Sequence, residues 1–184
     1  MIISETVRLR AIERQDLPLF VAWLNDPEVR QHLLVNIPLS QAQEDGWFDR
    51  MLARPLEEQP LGIEVRTPEG WRLVGNCSFF DLDWRNRCCE IGIFIGDKEY
   101  WGRGYGTEDM QLIVRYGFEQ LNLRRISLTV FEYNQRAVRS YQKIGFQEEG
   151  RMRQLVNREG RRWDLIYMGL LRADWEALNP RIAR

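Results

Sequence analysis

Gly102, Gly104 and Gly106, three glycines within five positions, constrain this chain more than any other feature. They sit in Tyr100-Trp101-Gly102-Arg103-Gly104-Tyr105-Gly106-Thr107, directly before a helical repeat. Met110, Ile113, Val114, Gly117, Phe118 and Leu121 recur at i, i+3, i+4, i+7, i+8 and i+11, which predicts a long amphipathic helix. A backbone stripped of side chains that leads into a helix gathers unpaired amide donors and the positive end of the helix dipole in one place. That combination suits a phosphate. The plain alternative is a tight loop whose glycines serve only the turn, so the flanking sequence has to decide.

On the C-terminal side, Arg125 to Phe131 alternates Ile126, Leu128 and Val130 with polar residues, a strand pattern. Asn134 is a good helix cap, Ala137, Tyr141 and Ile144 share one face of the helix it opens, and Gly145 is placed to stop it. On the N-terminal side, Cys88 to Ile95 reads as a strand with Cys89, Ile91, Ile93 and Ile95 on one face and Glu90, Gly92 and Phe94 on the other. The glycine turn therefore lies between two strands.

The rest of the chain supplies more strands and two further helices. Thr6 to Ile12 alternates like a half-buried strand. Asp16 caps a predicted helix that has Pro18 in its first turn and ends at Asn25-Asp26-Pro27. Ser40 and Gln43 form a capping-box pattern for a second. Leu61 to Arg66 and Trp71 to Phe80, around Thr67-Pro68-Glu69-Gly70, read as a hairpin. Gln147 to Arg153 and Arg161 to Leu171, around Asn157-Arg158-Glu159-Gly160, read as two final strands.

Length and charge limit the function classes. The 184 residues are expected to form one domain, 1–184, with a core large enough to need no disulfide or metal staple. A net charge of −1, from 26 basic and 27 acidic residues, gives no overall field for nucleic acid or an anionic membrane, and neither is an expected partner. Cys77, Cys88 and Cys89 lack zinc-ligand spacing, and the single histidine, His32, is remote from them, so no metal is expected. Residues Met1 to Glu5 lack the apolar core of a signal peptide, and no apolar run reaches membrane-spanning length, which points to a cytoplasmic protein with reduced thiols.

Arg103 within Trp101-x-x-Gly104-x-Gly106, followed beyond a strand by Asn134-x-x-Ala137-x-x-x-Tyr141-x-Lys143-x-Gly145-Phe146, resembles the motif pair of the GNAT N-acetyltransferase superfamily. Val7-Arg8-Leu9-Arg10 and Trp23-Leu24-Asn25-Asp26-Pro27 extend the likeness to the branch of ribosomal-protein N-terminal and polyamine acetyltransferases. The resemblance implies a mixed α/β GNAT fold: a predominantly antiparallel, splayed sheet with helices on both faces. It implies acetyl-CoA as co-substrate, no metal, and direct transfer of acetyl to a primary amine of a protein N-terminus or of a small molecule such as a polyamine. A homodimer is what the branch suggests.

Residue roles follow from the same likeness. Strand amides near Phe94 and Ile95 would meet the pantetheine, and Arg103, Gly104, Tyr105, Gly106 and Thr107 would cradle the pyrophosphate. Asn134 would reach the pantetheine arm, and Lys143 is a contact near the CoA phosphates or a solvated helix residue. Tyr141 stands at the general acid's position, and Glu90 is the candidate base, with a structural ion pair to an arginine as its competing role. The chain departs from the family pattern at Trp101, where Gln or Arg is usual. Two alternatives stand beside this reading. One is a non-catalytic acetyl-CoA-binding module. The other is a dinucleotide-binding oxidoreductase, imitated by the glycine turn and Glu132 but with Thr107 where a third glycine belongs.

Overall fold

The computed structural model describes residues 2–35 and 37–180; Met1, Asn36 and residues 181–184 lie outside the described residues. The chain forms two compact units, Met1–Phe79 with Ile93–Leu112, and Phe80–Gly92 with Ile113–Arg184.

The first unit contains β1 (Ile2–Ile3), β2 (Val7–Ala11), β3 (Leu61–Thr67), most of β4 (Gly70–Asp83) and the end of β5 (Cys88–Ile95), in that spatial order. β2 and β3 run antiparallel with Val7 opposite Val65 and Leu9 opposite Ile63, and all four side chains are buried. On the other face of this pair, Glu64 lies between two arginines: it accepts from Arg8 Nε and, at 2.8 Å, from Arg10 Nε. Arg10 continues to Asp16 at 2.7 Å. Asp16 precedes α1 (Leu17–Asn25) as expected, but its carboxylate does not cap that helix. It accepts from the Glu13 amide at 2.8 Å and from Arg10, because an arginine within reach outcompetes the helix amides for the same oxygens.

α1 stops where Asn25-Asp26-Pro27 should stop it, and Asp26 then caps a short α2 (Pro27–Arg30). The Ser40–Gln43 capping box opens α3 (Gln41–Leu52). Leu17 and Phe20 of α1 pack with Phe48 and Met51 of α3 on Leu73 of β4 and on Ile12, just past the end of β2, and Trp23 and Phe94 close the cluster. Burial of each such side chain stabilises the fold by roughly 1.5–3 kcal/mol before chain entropy is counted.

The second unit orders its strands β4-β5-β6-β8-β7, with β6 (Arg125–Phe131), β7 (Gln147–Arg158) and β8 (Arg161–Leu171). The residues of β4 and of β5 are divided between the two units. β5 and β6 pair in parallel, which requires a crossover, and α4 (Tyr105–Glu119) supplies it. The ladders β1–β2, β2–β3, β3–β4, β6–β8 and β7–β8 are antiparallel. The parallel ladder is short: among the described residues it ends with Glu90 opposite Ser127, although β5 continues to Ile95 and β6 to Phe131.

The structure departs from the sequence reading in several places, and β4 runs on to Asp83 rather than ending at Phe80. Leu121 falls beyond the end of α4, where Leu123 takes up a fully buried place. β7 runs to Arg158 rather than Arg153, because residues between Met152 and Val156 bulge out and the ladder resumes with Val156 opposite Trp163. Gln154, at φ +55°, turns the bulge, and its amide donates to Asp164 Oδ1 at 2.9 Å. An unexpected helix, α6 (Arg172–Leu178), buries Trp175 against Phe118, ring centroids 5.3 Å apart. Among the described residues no helix is long and apolar enough to cross a membrane.

Candidate active site

The residues singled out from the sequence fall in both units. In the first, a single 3₁₀ turn (Lys98–Tyr100) leads to Trp101, whose indole N–H donates to the Ile95 carbonyl at 2.7 Å. The residue that departs from the family pattern thus pins the turn to the end of β5. Gly102 and Gly104 follow with φ of +74° and +92°, a left-handed region that L side chains rarely adopt, and a Cβ on either would meet nothing within 4 Å. Gly104 needs its glycine for conformation and leaves open space above the backbone. Its carbonyl accepts from the amides of Thr107 and Glu108 and so starts α4. The amides at the very start of the helix have no carbonyl a turn earlier to pair with.

Arg103 is exposed, and its guanidinium lies 5.5 Å from the centroid of the Tyr100 ring, which also packs against Tyr105 at 5.9 Å. The Phe94 ring points away from any ligand role, into the cluster with Phe20 and Trp23 at 6.1 and 6.4 Å, leaving only its backbone to serve one. His32 is edge-on to Trp101 at 6.2 Å, in keeping with packing rather than chemistry.

A group that the motif analysis missed lies just inside α4. Asp109 is fully buried, neither of its carboxyl oxygens has a well-formed hydrogen bond, and burial lifts its pKa to about 8, a little offset by the Cys77 thiol. Burial and the Asp109 charge in turn push the Cys77 thiol well up.

In the second unit, Glu90 is half-buried at the last rung of the parallel ladder. Its Oε1 accepts from Thr129 Oγ1 at 3.2 Å. No ion pair joins it to an arginine among the described residues, so the structural role weighed for it is not the one seen. Thr129 was missed by sequence reasoning; its signal was the polar alternation of Ser127 and Thr129 against Ile126, Leu128 and Val130. The neighbouring Cys89 thiol is pushed up to about 12, first by burial and then by the Cys88 and Glu90 charges, so it is not a thiolate nucleophile at neutral pH.

Asn134 caps α5 (Gln135–Ile144) by accepting from the Ala137 amide at 3.3 Å, and Gly145 ends it at φ +111°. Both local expectations hold. Tyr141 is half-buried on α5 with its ring edge-on to Phe146 at 6.1 Å, while Lys143 is exposed in the last turn. No group of three or more metal-ligating side chains gathers among the described residues.

Comparison with known proteins bears on all of these elements. The uncharacterized N-acetyltransferase YoaA of Bacillus subtilis (strain 168) is 35% identical over 167 residues, 88% of this chain and 92% of its own. The spermidine N(1)-acetyltransferase of Escherichia coli (strain K12) is 27% identical over 149 residues, 81% of this chain and 77% of its own. Among solved structures, spermidine N-acetyltransferase from Vibrio cholerae in complex with CoA and spermine has a TM-score of 0.81 at 25% identity, covering 94% of this chain and 99% of that one. The acetyltransferase (GNAT) domain model matches residues 6–147, from the edge of β2 through the glycine turn to the start of β7. With most of its length under that one match, the chain belongs to the GNAT acetyltransferase family.

Proposed function

We infer that the chain is an acetyl-CoA-dependent N-acetyltransferase acting on a primary amine, either a protein N-terminus or a small molecule such as a polyamine. We infer too that its two units work as one acetyltransferase domain, a reading supported by the span of the family match. The observation that carries the proposal is the open glycine turn at the head of the 15-residue α4, in a chain that belongs to this family. Family membership replaces the oxidoreductase alternative.

The residues present fit acetyl-CoA. Arg103 and the amides of Gly104 to Thr107 would hold its pyrophosphate, with the positive end of the α4 dipole behind them. Backbone groups of Phe94 and Ile95 and the Asn134 amide would receive the pantetheine arm, with Lys143 near the phosphates. When bound, acetyl-CoA supplies an activated thioester carbonyl. An ordinary ammonium is protonated near neutral pH and cannot attack, so a base is needed. Glu90, oriented by its hydrogen bond from Thr129, accepts that proton. Tyr141 holds a phenolic proton for the departing thiolate. Transfer is direct, in keeping with the buried, protonated thiols of Cys77 and Cys89.

Titration calorimetry tests the cofactor assignment. Acetyl-CoA should bind with a measurable heat and NAD should not; binding of NAD alone would overturn the reading.

A further inference from the structure

The glycine turn is pinned at its entry by Trp101, and its exit is held from a distant part of the first unit. Glu108 stands in the first turn of α4, where its amide donates to the Gly104 carbonyl at 3.1 Å beside the Thr107 amide at 2.9 Å. Its carboxylate reaches the turn between β1 and β2. Ser4 Oγ donates to Oε1 at 2.5 Å and Thr6 Oγ1 donates to Oε2 at 2.6 Å, from 104 and 102 residues away in sequence. Each oxygen thus has its own hydroxyl, and among the described residues no cation pairs with either.

Ser4 is itself fixed. Its amide donates to the Val7 carbonyl at 2.8 Å, its Oγ accepts from the Val7 amide at 3.1 Å, and Val7 is fully buried. The one hydroxyl proton faces two acceptors, the Val7 carbonyl at 2.9 Å and the Glu108 carboxylate, and the charged acceptor outcompetes the neutral one. A continuous path therefore runs from the core of β2 through Ser4 to Glu108, and along its main chain to Gly104.

Glu108 acts on the turn in two opposing ways. Its charge lies roughly 6 Å along the helix from Gly104, by the rise of four residues, and repels an anion bound there. Water and salt weaken that repulsion. Its anchor works the other way: Gly102 and Gly104 have no side chain to pack, so the conformation between Trp101 and Glu108 depends on its two ends. Hydrogen bonds to a charged group are the stronger kind and do not fade with salt as a longer-range repulsion does, so anchoring outweighs repulsion. A carboxylate in the first turn of a helix also suits the helix dipole whatever it touches, but that plain role requires neither hydroxyl.

We propose that Ser4 and Thr6 are positioning residues for acetyl-CoA: through Glu108 they fix the exit of the glycine turn, so that the amides of Gly104 to Thr107 stay aimed at the pyrophosphate. Ser4 lies before residue 6, where the match to the acetyltransferase domain begins. The inference rests on the reading of this turn as the pyrophosphate site.

Calorimetric titration with acetyl-CoA tests it. Thr6→Val keeps the shape of an exposed side chain and removes the hydroxyl; it should weaken affinity roughly threefold, and Ser4→Ala/Thr6→Val roughly tenfold, at low and high salt alike. Thr6→Ser keeps the hydroxyl and should bind as the wild type does. Glu108→Ala should itself lose roughly tenfold, and adding Thr6→Val to it should change nothing further, a non-additivity that a general loss of stability would not produce. Wild-type affinity in folded Ser4→Ala/Thr6→Val, equal losses in Thr6→Val and Thr6→Ser, additive losses with Glu108→Ala, or tighter binding by Glu108→Ala overturns the inference while leaving the cofactor assignment intact. If the double variant does not fold, Thr6→Val alone carries the test. Wild-type protein that binds no acetyl-CoA overturns both.

Discussion

Asp109 is a carboxyl enclosed in α4 a few residues past the glycine turn, and its titration should govern how stability responds to pH. Its folded pKa is about 8, against 3.8 for the free group, because burial penalises the ion more than the Cys77 thiol relieves it. Between those values the folded state holds a proton that the unfolded chain has released. Stability must therefore fall as pH rises through this window and level off above about 8, with a slope of up to about 1.4 kcal/mol per pH unit. From pH 6 to pH 8 that amounts to a loss on the order of 2 kcal/mol, a large share of the roughly 5–15 kcal/mol by which a domain is stable. For a chain of this length the corresponding drop in Tm is roughly 4–8 °C. Asp109→Asn keeps the shape and removes the proton, so its stability should be flat over the same range apart from contributions shared with the wild type. Urea denaturation of both proteins at a series of pH values measures the difference directly. Parallel curves for the two would refute the reasoning and mean that the Asp109 carboxyl is already ionised in the folded protein.

Three further substitutions test the proposed chemistry. Glu90→Gln removes the proton acceptor and should lower kcat by about 10² to 10⁴, with part of the loss recovered at higher pH; a variant whose pH-rate profile matches the wild type reassigns Glu90 to structure. Tyr141→Phe should cost only the low end of that range, about 10², because a thiol of pKa about 8.5 leaves tolerably unaided; unchanged single-turnover rates across pH would leave Tyr141 as packing against Phe146. Gly104→Val puts a β-branched residue at φ +92°, a strain of about 1–2 kcal/mol, and covers the open backbone; acetyl-CoA affinity should fall at least tenfold in protein that circular dichroism shows to be folded, and an unaltered Kd would remove the turn from the site.

The segment from the glycine turn to Gly145 was legible because its signals are local. Gly104 and Gly145 adopt positive φ, Asn134 caps α5 through an amide three residues on, and the Ile126-Leu128-Val130 alternation matches a strand with one buried face. The features that escaped depend on partners distant in sequence. The Asp16 carboxylate is claimed by Arg10, the Trp101 indole by the Ile95 carbonyl, and the Glu90 carboxylate by Thr129. None of these can be read before the register of the sheet is known. The β7 bulge escaped for another reason: Gln154 takes a positive φ without a glycine to mark it, at the expense of strain that the Asp164 hydrogen bond helps to hold. α6 is seven residues long and follows Leu171, which offers no capping side chain, so neither periodicity nor a start signal announced it.

The central claim is that this chain moves an acetyl group from acetyl-CoA to an amine, rather than only binding the cofactor. Incubation with acetyl-CoA and a panel of amines and N-terminal peptides, with CoA-thiol release followed in time and the products examined by mass spectrometry, tests it most directly. The account predicts enzyme-dependent thiol release matched by one acetyl group per acceptor, located on the amine nitrogen and lost in Glu90→Gln. Tight acetyl-CoA binding with neither thiol release nor an acetylated product, across the whole panel, would contradict it and make the protein a non-catalytic acetyl-CoA-binding module.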